Sequence, residues 1–187
     1  MIIIFHKQIV NRHNSYGAGK YLPDRINLSF KPEVRHRQIL NTLNLIIDHK
    51  INNIKPVDIR TIVDIGCGAK EGNYMIKRLH DQYPSIKIFG TDIHSSSNTN
   101  VYNHNILIGK LPLNADLALM TNLHNHFSDS EFEKALHNIF DSLNQNGLLL
   151  IGDQKYFGVY QKTDQGFEFK FDGNVEISED DVADSWY

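Results

Sequence analysis

Thr61-Ile-Val-Asp-Ile-Gly-Cys-Gly-Ala-Lys-Glu-Gly72 is the stretch on which the reading of this chain turns. Its first five residues form an apolar, β-branched run broken by one carboxylate, which predicts a strand covered on both faces. Gly66 and Gly68 follow at once, where a side chain would keep a ligand off the backbone. Beyond them Met75, Ile76 and Leu79 fall at helical spacing, predicting a helix from about Asn73 to Tyr83 that stops at Pro84. Strand, glycine turn and helix start in this order present the unpaired amides of a helix N-terminus at the strand's end.

Working outward, apolar runs at Ile86–Phe89, Leu117–Met120 and Leu148–Ile151, with a weaker one at Val101–Ile108, are of strand length. They lack alternation, as strands of a parallel sheet covered on both sides do. Pro32–Lys50 has helical spacing, with Pro32 and Glu33 in the first turn. Ser128–Asn144 carries a stronger helix signature: Ser128 and Glu131 make a capping box, Phe132, Ala135, Leu136, Ile139, Phe140 and Leu143 make one stripe, and Gly147 marks the end. Tyr156–Gln161 and Gly166–Phe171 flank Lys162-Thr-Asp-Gln165 as a hairpin. The connections Ser95–Asn100 and Gly109–Asn114 are too short for full helices, so single turns or bare loops are expected there. The order predicts an α/β fold, a Rossmann-like sandwich with a mostly parallel sheet, an antiparallel C-terminal hairpin and abbreviated crossovers.

A chain of 187 residues with 41% hydrophobic and 22% charged residues fits one domain, here 32–175. Residues 1–31, irregular around Tyr16, Lys20 and Tyr21, read either as a lid or as a surface loop; residues 176–187 read as an acidic tail. A net charge of −3 exerts no general pull on nucleic acid or an anionic membrane. The single cysteine, Cys67, cannot form an internal disulfide, and a reducing, cytoplasmic setting follows. The opening run Met1-Ile-Ile-Ile-Phe5 is cut by His6, Lys7 and Gln8, too short for a signal peptide or a membrane span, so no membrane association is expected.

The glycines are spaced G-x-G-x-x-x-G, from Gly66 to Gly72, rather than the G-x-G-x-x-G of dinucleotide enzymes, which disfavours a nicotinamide cofactor. Asp92, just past the Ile86–Gly90 run, stands where an acidic residue accepts hydrogen bonds from ribose hydroxyls. The competing reading is that the glycines only make a tight turn and Asp92 only caps a loop.

Val63-Asp-Ile-Gly-Cys-Gly68, Phe89-Gly-Thr-Asp-Ile93, and Asn122-Leu-His-Asn-His-Phe127 running into Gly147-Leu-Leu-Leu-Ile-Gly-Asp153 resemble the class I S-adenosylmethionine-dependent methyltransferases over residues 61–153. The resemblance implies S-adenosylmethionine as cofactor. Asp64, Gly66, Cys67 and Gly68 would hold its amino acid part, Asp92 its ribose, and Ile93 and Asn105 its adenine, with Thr121 and Asn122 at the methyl end. Lys70 departs from the family's usual third glycine.

In that family the segment after the fourth strand lines the transfer site, and here it holds two histidines. A histidine of near-neutral pKa can take the proton from an oxygen or nitrogen acceptor, so His124 and then His126 are the catalytic candidates; the alternative is that both are loop residues. His124-x-His126 has no acidic or cysteine ligand at diagnostic spacing, so no metal is expected. The prolines that follow Asn or Asp in nucleobase amino-methyltransferases are missing, and no acid occupies the place that ribose methyltransferases require. The reading is therefore transfer to O or N of a small-molecule acceptor. A catalytically degenerate binding or regulatory subunit, and a protein or RNA methyltransferase, are the alternatives.

Overall fold

The computed structural model describes residues 9–10, 32–48, 51, 53–68, 72–94, 96–121, 123, 126–152 and 157–172. Strand β1 (Thr61–Ile65) lies inside a seven-stranded sheet, with β2 (Lys87–Asp92) and β3 (Val101–Asn103) stacked outward on one side. On its other side come β4 (Ala115–Thr121), β5 (Leu143–Gly152), β6 (Phe157–Thr163) and β7 (Gly166–Asp172), giving the order β3-β2-β1-β4-β5-β6-β7. β1 to β5 pair in parallel, while β6 runs antiparallel to β5 and β7 to β6. The chain reverses its direction of travel across the sheet between β1 and β4, and a Rossmann-like α/β sheet opens its ligand crevice at the carboxyl ends of the strands at that switch point.

Alternation along the strands sorts the core into two layers. Ile62, Ile88, Leu117, Leu119, Leu148 and Leu150 pack with Ile39, Leu43 and Ile46 of α1 (Pro32–Ile47) and Met75, Ile76 and Leu79 of α2 (Gly72–Gln82). Val63, Ile65, Phe89, Ala118, Met120, Leu149 and Ile151 pack on the other face with Phe132, Leu136 and Ile139 of α3 (Asp129–Ser142). The capping box at Ser128 is formed as expected, its hydroxyl accepting from the Glu131 amide and Glu131 bonding back to the Ser128 amide.

The short crossovers are bare among the described residues, and side chains of α3 bond the backbone of the one after β3. Ser142 Oγ accepts from Leu111 N at 2.8 Å and Asn138 Nδ2 donates to Ile106 O at 2.6 Å. Ile106 and Leu111 enter the core beneath them, joined by Ile9 and Val10, which have helical backbone and are buried. Residues from the N-terminal segment thus cover sheet that a crossover helix would otherwise cover.

Three local expectations need correction. β3 holds only Val101–Asn103, because past it Asn105 closes a turn through its carbonyl to Ile108 N at 2.9 Å. β2 extends to Asp92, which is therefore the strand's last residue rather than one beyond it. Gly147 does not end α3: the helix stops at Ser142, since Leu143 is already extended (φ −77°, ψ 141°) and opposite Ala115, and Gly147 lies within β5. The left-handed residue there is Asn146, at φ 61°.

Candidate functional site

At the carboxyl ends of β1, β2 and β4 the chain builds a small polar cradle. Gly66 and Gly68 have φ of 68° and 77°, in the left-handed region that costs a residue with Cβ about 1 kcal/mol or more. The turn is fastened to β2, because Gly66 N and Cys67 N both donate to Thr91 O, at 2.7 and 3.1 Å. Asp92 ties three segments together. Its Oδ2 accepts from Gly68 N at 2.9 Å, its Oδ1 from His94 N at 2.8 Å, and its carbonyl from His104 N at 2.8 Å.

Asp64 pairs with Gly90, so Asp92, two residues further along β2, projects to the same face of the sheet as Asp64. Both carboxylates are buried, Asp64 at 5% exposure and Asp92 at 8%. They differ in what they receive. Asp92 has one amide on each oxygen, whereas among the described residues none donates to the Asp64 carboxylate. Burial, with the Asp92 charge adding to it, pushes the Asp64 carboxyl up to about 7. The same causes, burial first and then the Asp64 and Asp92 charges, push the Cys67 thiol up to about 12. Cys67 is thus a packing residue with no thiolate chemistry near neutral pH.

Two close approaches explain why glycine stands where it does. A Cβ on Gly90 would lie 2.5 Å from Cys67 Sγ and 2.6 Å from Ile76 Cδ1, so β2 makes room for the turn and for α2. A Cβ on Gly66 would lie 2.8 Å from both Cδ atoms of Leu123, the described residue just past β4. Sequence reading passed over Leu123; its only signal is a leucine after the fourth strand, and its partner is set by the fold.

Of the residues expected to act together, Asp64, Gly66, Cys67, Gly68 and Asp92 converge here. Ile93 stands beside them, 62% exposed and uncovered, and Thr121 ends β4, half-buried opposite Gly152. Asn105 lies two residues beyond β3, and its carboxamide oxygen accepts from Leu107 N at 2.9 Å within its own turn. His126 is exposed, its amide donating to Leu123 O at 3.0 Å. Asn122, His124, Tyr16, Lys20, Tyr21 and the 176–187 tail lie outside the described residues. Among the described residues no three or more His, Cys, Asp or Glu are grouped to hold a metal, and no helix is long and apolar enough to cross a membrane.

The opposite end of the sheet is polar but structurally engaged. In the open cleft there, Asp116 Oδ2 accepts from Arg60 N and Thr61 N, each at 2.9 Å, and its Oδ1 accepts from Asn144 Nδ2 at 2.7 Å. Three donors on one carboxylate make a clamp for the start of β1.

No protein-family model matches the chain, and no curated protein matches its sequence. Among solved structures, an N-methyltransferase of Bradyrhizobium japonicum WM9 in complex with S-adenosyl-L-homocysteine is similar over 75% of this chain and 72% of that one, at 16% identity and a TM-score of 0.48. Human N-acetylserotonin methyltransferase in complex with S-adenosylmethionine is similar over 63% of this chain and 33% of that one, at 21% identity and a TM-score of 0.47. An O-methyltransferase from a trans-AT PKS multienzyme of Brevibacillus brevis, with S-adenosyl-L-homocysteine, is similar over 63% and 43%, at 17% identity and a TM-score of 0.44. The chain therefore spans less than half the length of the human and Brevibacillus proteins.

Proposed function

We propose that the chain is an S-adenosylmethionine-dependent methyltransferase acting on an oxygen or nitrogen of a small molecule. The observation that carries this reading is the pair of buried carboxylates, Asp64 and Asp92, on one face beside two left-handed glycines at the switch point. A buried carboxylate without a donor is costly, and Asp64 fits the ammonium of an amino acid moiety. An ionised carboxylate has about four acceptor positions, so Asp92 keeps room for two ribose hydroxyls while holding the Gly68 and His94 amides. Ile93 offers an uncovered apolar surface for an adenine face.

When bound, the cofactor supplies an electrophilic sulfonium methyl. The chain's own part is to hold that group and align an acceptor, which is where most of the rate gain in such a transfer arises. On the acceptor side His126 is exposed just past β4, where an imidazole suits proton abstraction from a bound hydroxyl or amine, and His124 falls in the same segment.

A second reading, a binding or regulatory subunit without turnover, is favoured by one feature: among the described residues the connections after β2 and β3 carry no helix. Turnover separates the two. Incubation with methyl-labelled S-adenosylmethionine and a panel of phenols, carboxylic acids and amines is expected to yield labelled product and S-adenosylhomocysteine. Cofactor binding with no transfer to any acceptor would favour the regulatory reading, and labelling of a copurified protein or RNA would shift the acceptor class.

A further inference from the structure

We propose that Leu123 is a positioning residue that couples the glycine turn to the histidine segment, an inference that rests on the methyltransferase reading. The isobutyl group of Leu123 fills the space where a Cβ on Gly66 would stand, with both Cδ atoms 2.8 Å from that point. Gly66 is itself anchored, its amide donating to Thr91 O at 2.7 Å with φ at 68°. On its other side Leu123 packs against the α3-facing core, as does Phe127 four residues later. Its carbonyl accepts the amide of His126, whose imidazole is exposed, at 3.0 Å.

One residue therefore occupies the space over Gly66 with its side chain and accepts a backbone hydrogen bond from a candidate base. Close-packed groups transmit displacement, because a shift of one opens a void beside the other. A ligand seated on the Gly66–Gly68 turn would fix Leu123, and Leu123 would fix His126 relative to the methyl end. Leucine suits the role because a smaller side chain loses the Gly66 contact while leaving the carbonyl free to swing.

The test is nuclear magnetic resonance of the histidine Cε1–H groups during titration with S-adenosylhomocysteine, the His126 signal being assigned by its loss in His126→Asn. In the unmodified chain the His126 resonance moves as the ligand binds. In Leu123→Ala, verified as folded by circular dichroism, the ligand still binds with a dissociation constant within about fivefold, the low end of ordinary coupling between sites, yet the His126 shift falls below half. Leu123→Met, which keeps the bulk, restores it, and Leu123→Val serves if the alanine variant does not fold. A full His126 shift in the alanine or valine variant, or a His126 resonance unmoved by a ligand that binds, overturns the inference. Failure of the unmodified chain to bind the ligand overturns the methyltransferase reading itself.

Discussion

Replacing Gly90 by alanine tests whether β2 is shaped around the glycine turn after β1. A strand glycine with open space above it gains about 0.4–1 kcal/mol on becoming alanine, because the unfolded chain loses freedom. Gly90 has no such space. The new methyl would sit 2.5 Å from Cys67 Sγ and 2.6 Å from Ile76 Cδ1, where ordinary carbon contacts are about 3.5–4.0 Å. Its backbone cannot back away, being paired with Asp64 on one side and Val101 on the other, with its amide on Asn100 O at 2.8 Å. Ile76 can rotate its terminal methyl, but Cys67 is held by the hydrogen bond from its amide to Thr91 O. Overpacking of this kind costs about 1–3 kcal/mol, so the net expectation is a loss of about 1–2 kcal/mol. In thermal unfolding of a domain this size that is a fall of about 2–8 °C in Tm. Adding Cys67→Ala relieves the sulfur overlap but not Ile76 or the cysteine's own Cβ at 3.2 Å, so recovery is partial. A Gly90→Ala variant more stable than the parent would refute the packing argument.

Asp64 sets a pH dependence. Its folded pKa of about 7 lies above the ordinary carboxylate value near 3.9, so between those limits the folded state holds a proton that the unfolded chain has lost. Its contribution to stability therefore falls as pH rises from about 4 to 7, by up to about 1.4 kcal/mol per pH unit, and Asp64→Asn flattens that part of the curve in urea titrations. An unchanged slope in the variant would contradict the assignment. Lys162 caps α3 from β6, its Nζ donating to Phe140 O at 2.7 Å and Leu143 O at 2.6 Å while lying 4.6 Å above the Phe140 ring. Lys162→Met keeps the stem and removes the charge, with an expected loss of about 1–2 kcal/mol in chemical denaturation; no loss would mean the cap is idle. Ser128→Ala removes the capping box, and hydrogen exchange should then show faster fraying at Asp129–Phe132 with β5 protection unchanged.

Much of the architecture was legible because it depends on neighbours in sequence. Ile62 to Ile65 followed by two glycines spells a buried strand and a left-handed turn, and Ser128 with Glu131 spells a helix start; both hold in the structure. The errors arose where distant contacts decide. Val101–Ile108 looked like one strand because Ile106 is apolar, yet Ile106 is a separate anchor whose carbonyl is held by Asn138. Gly147 looked like a helix stop, but pairing of Leu143 with Ala115 ends α3 at Ser142. At the site, the carboxylates and glycines could be named from spacing. The Gly68 amide that Asp92 holds, the nesting of Cys67 over Gly90, and the wedge of Leu123 at Gly66 could not, since each joins segments distant in sequence.

The central claim is that the β1 turn, Asp64 and Asp92 hold S-adenosylmethionine. Isothermal titration with S-adenosylhomocysteine and, separately, with a nicotinamide dinucleotide at pH 6 and pH 8 tests it most directly. The account predicts one-to-one binding of S-adenosylhomocysteine, tighter at pH 8 because Asp64 is then ionised beside the ligand's ammonium, and weaker or absent binding of the dinucleotide. No heat from S-adenosylhomocysteine at millimolar concentration, or tighter binding of the dinucleotide, would contradict it.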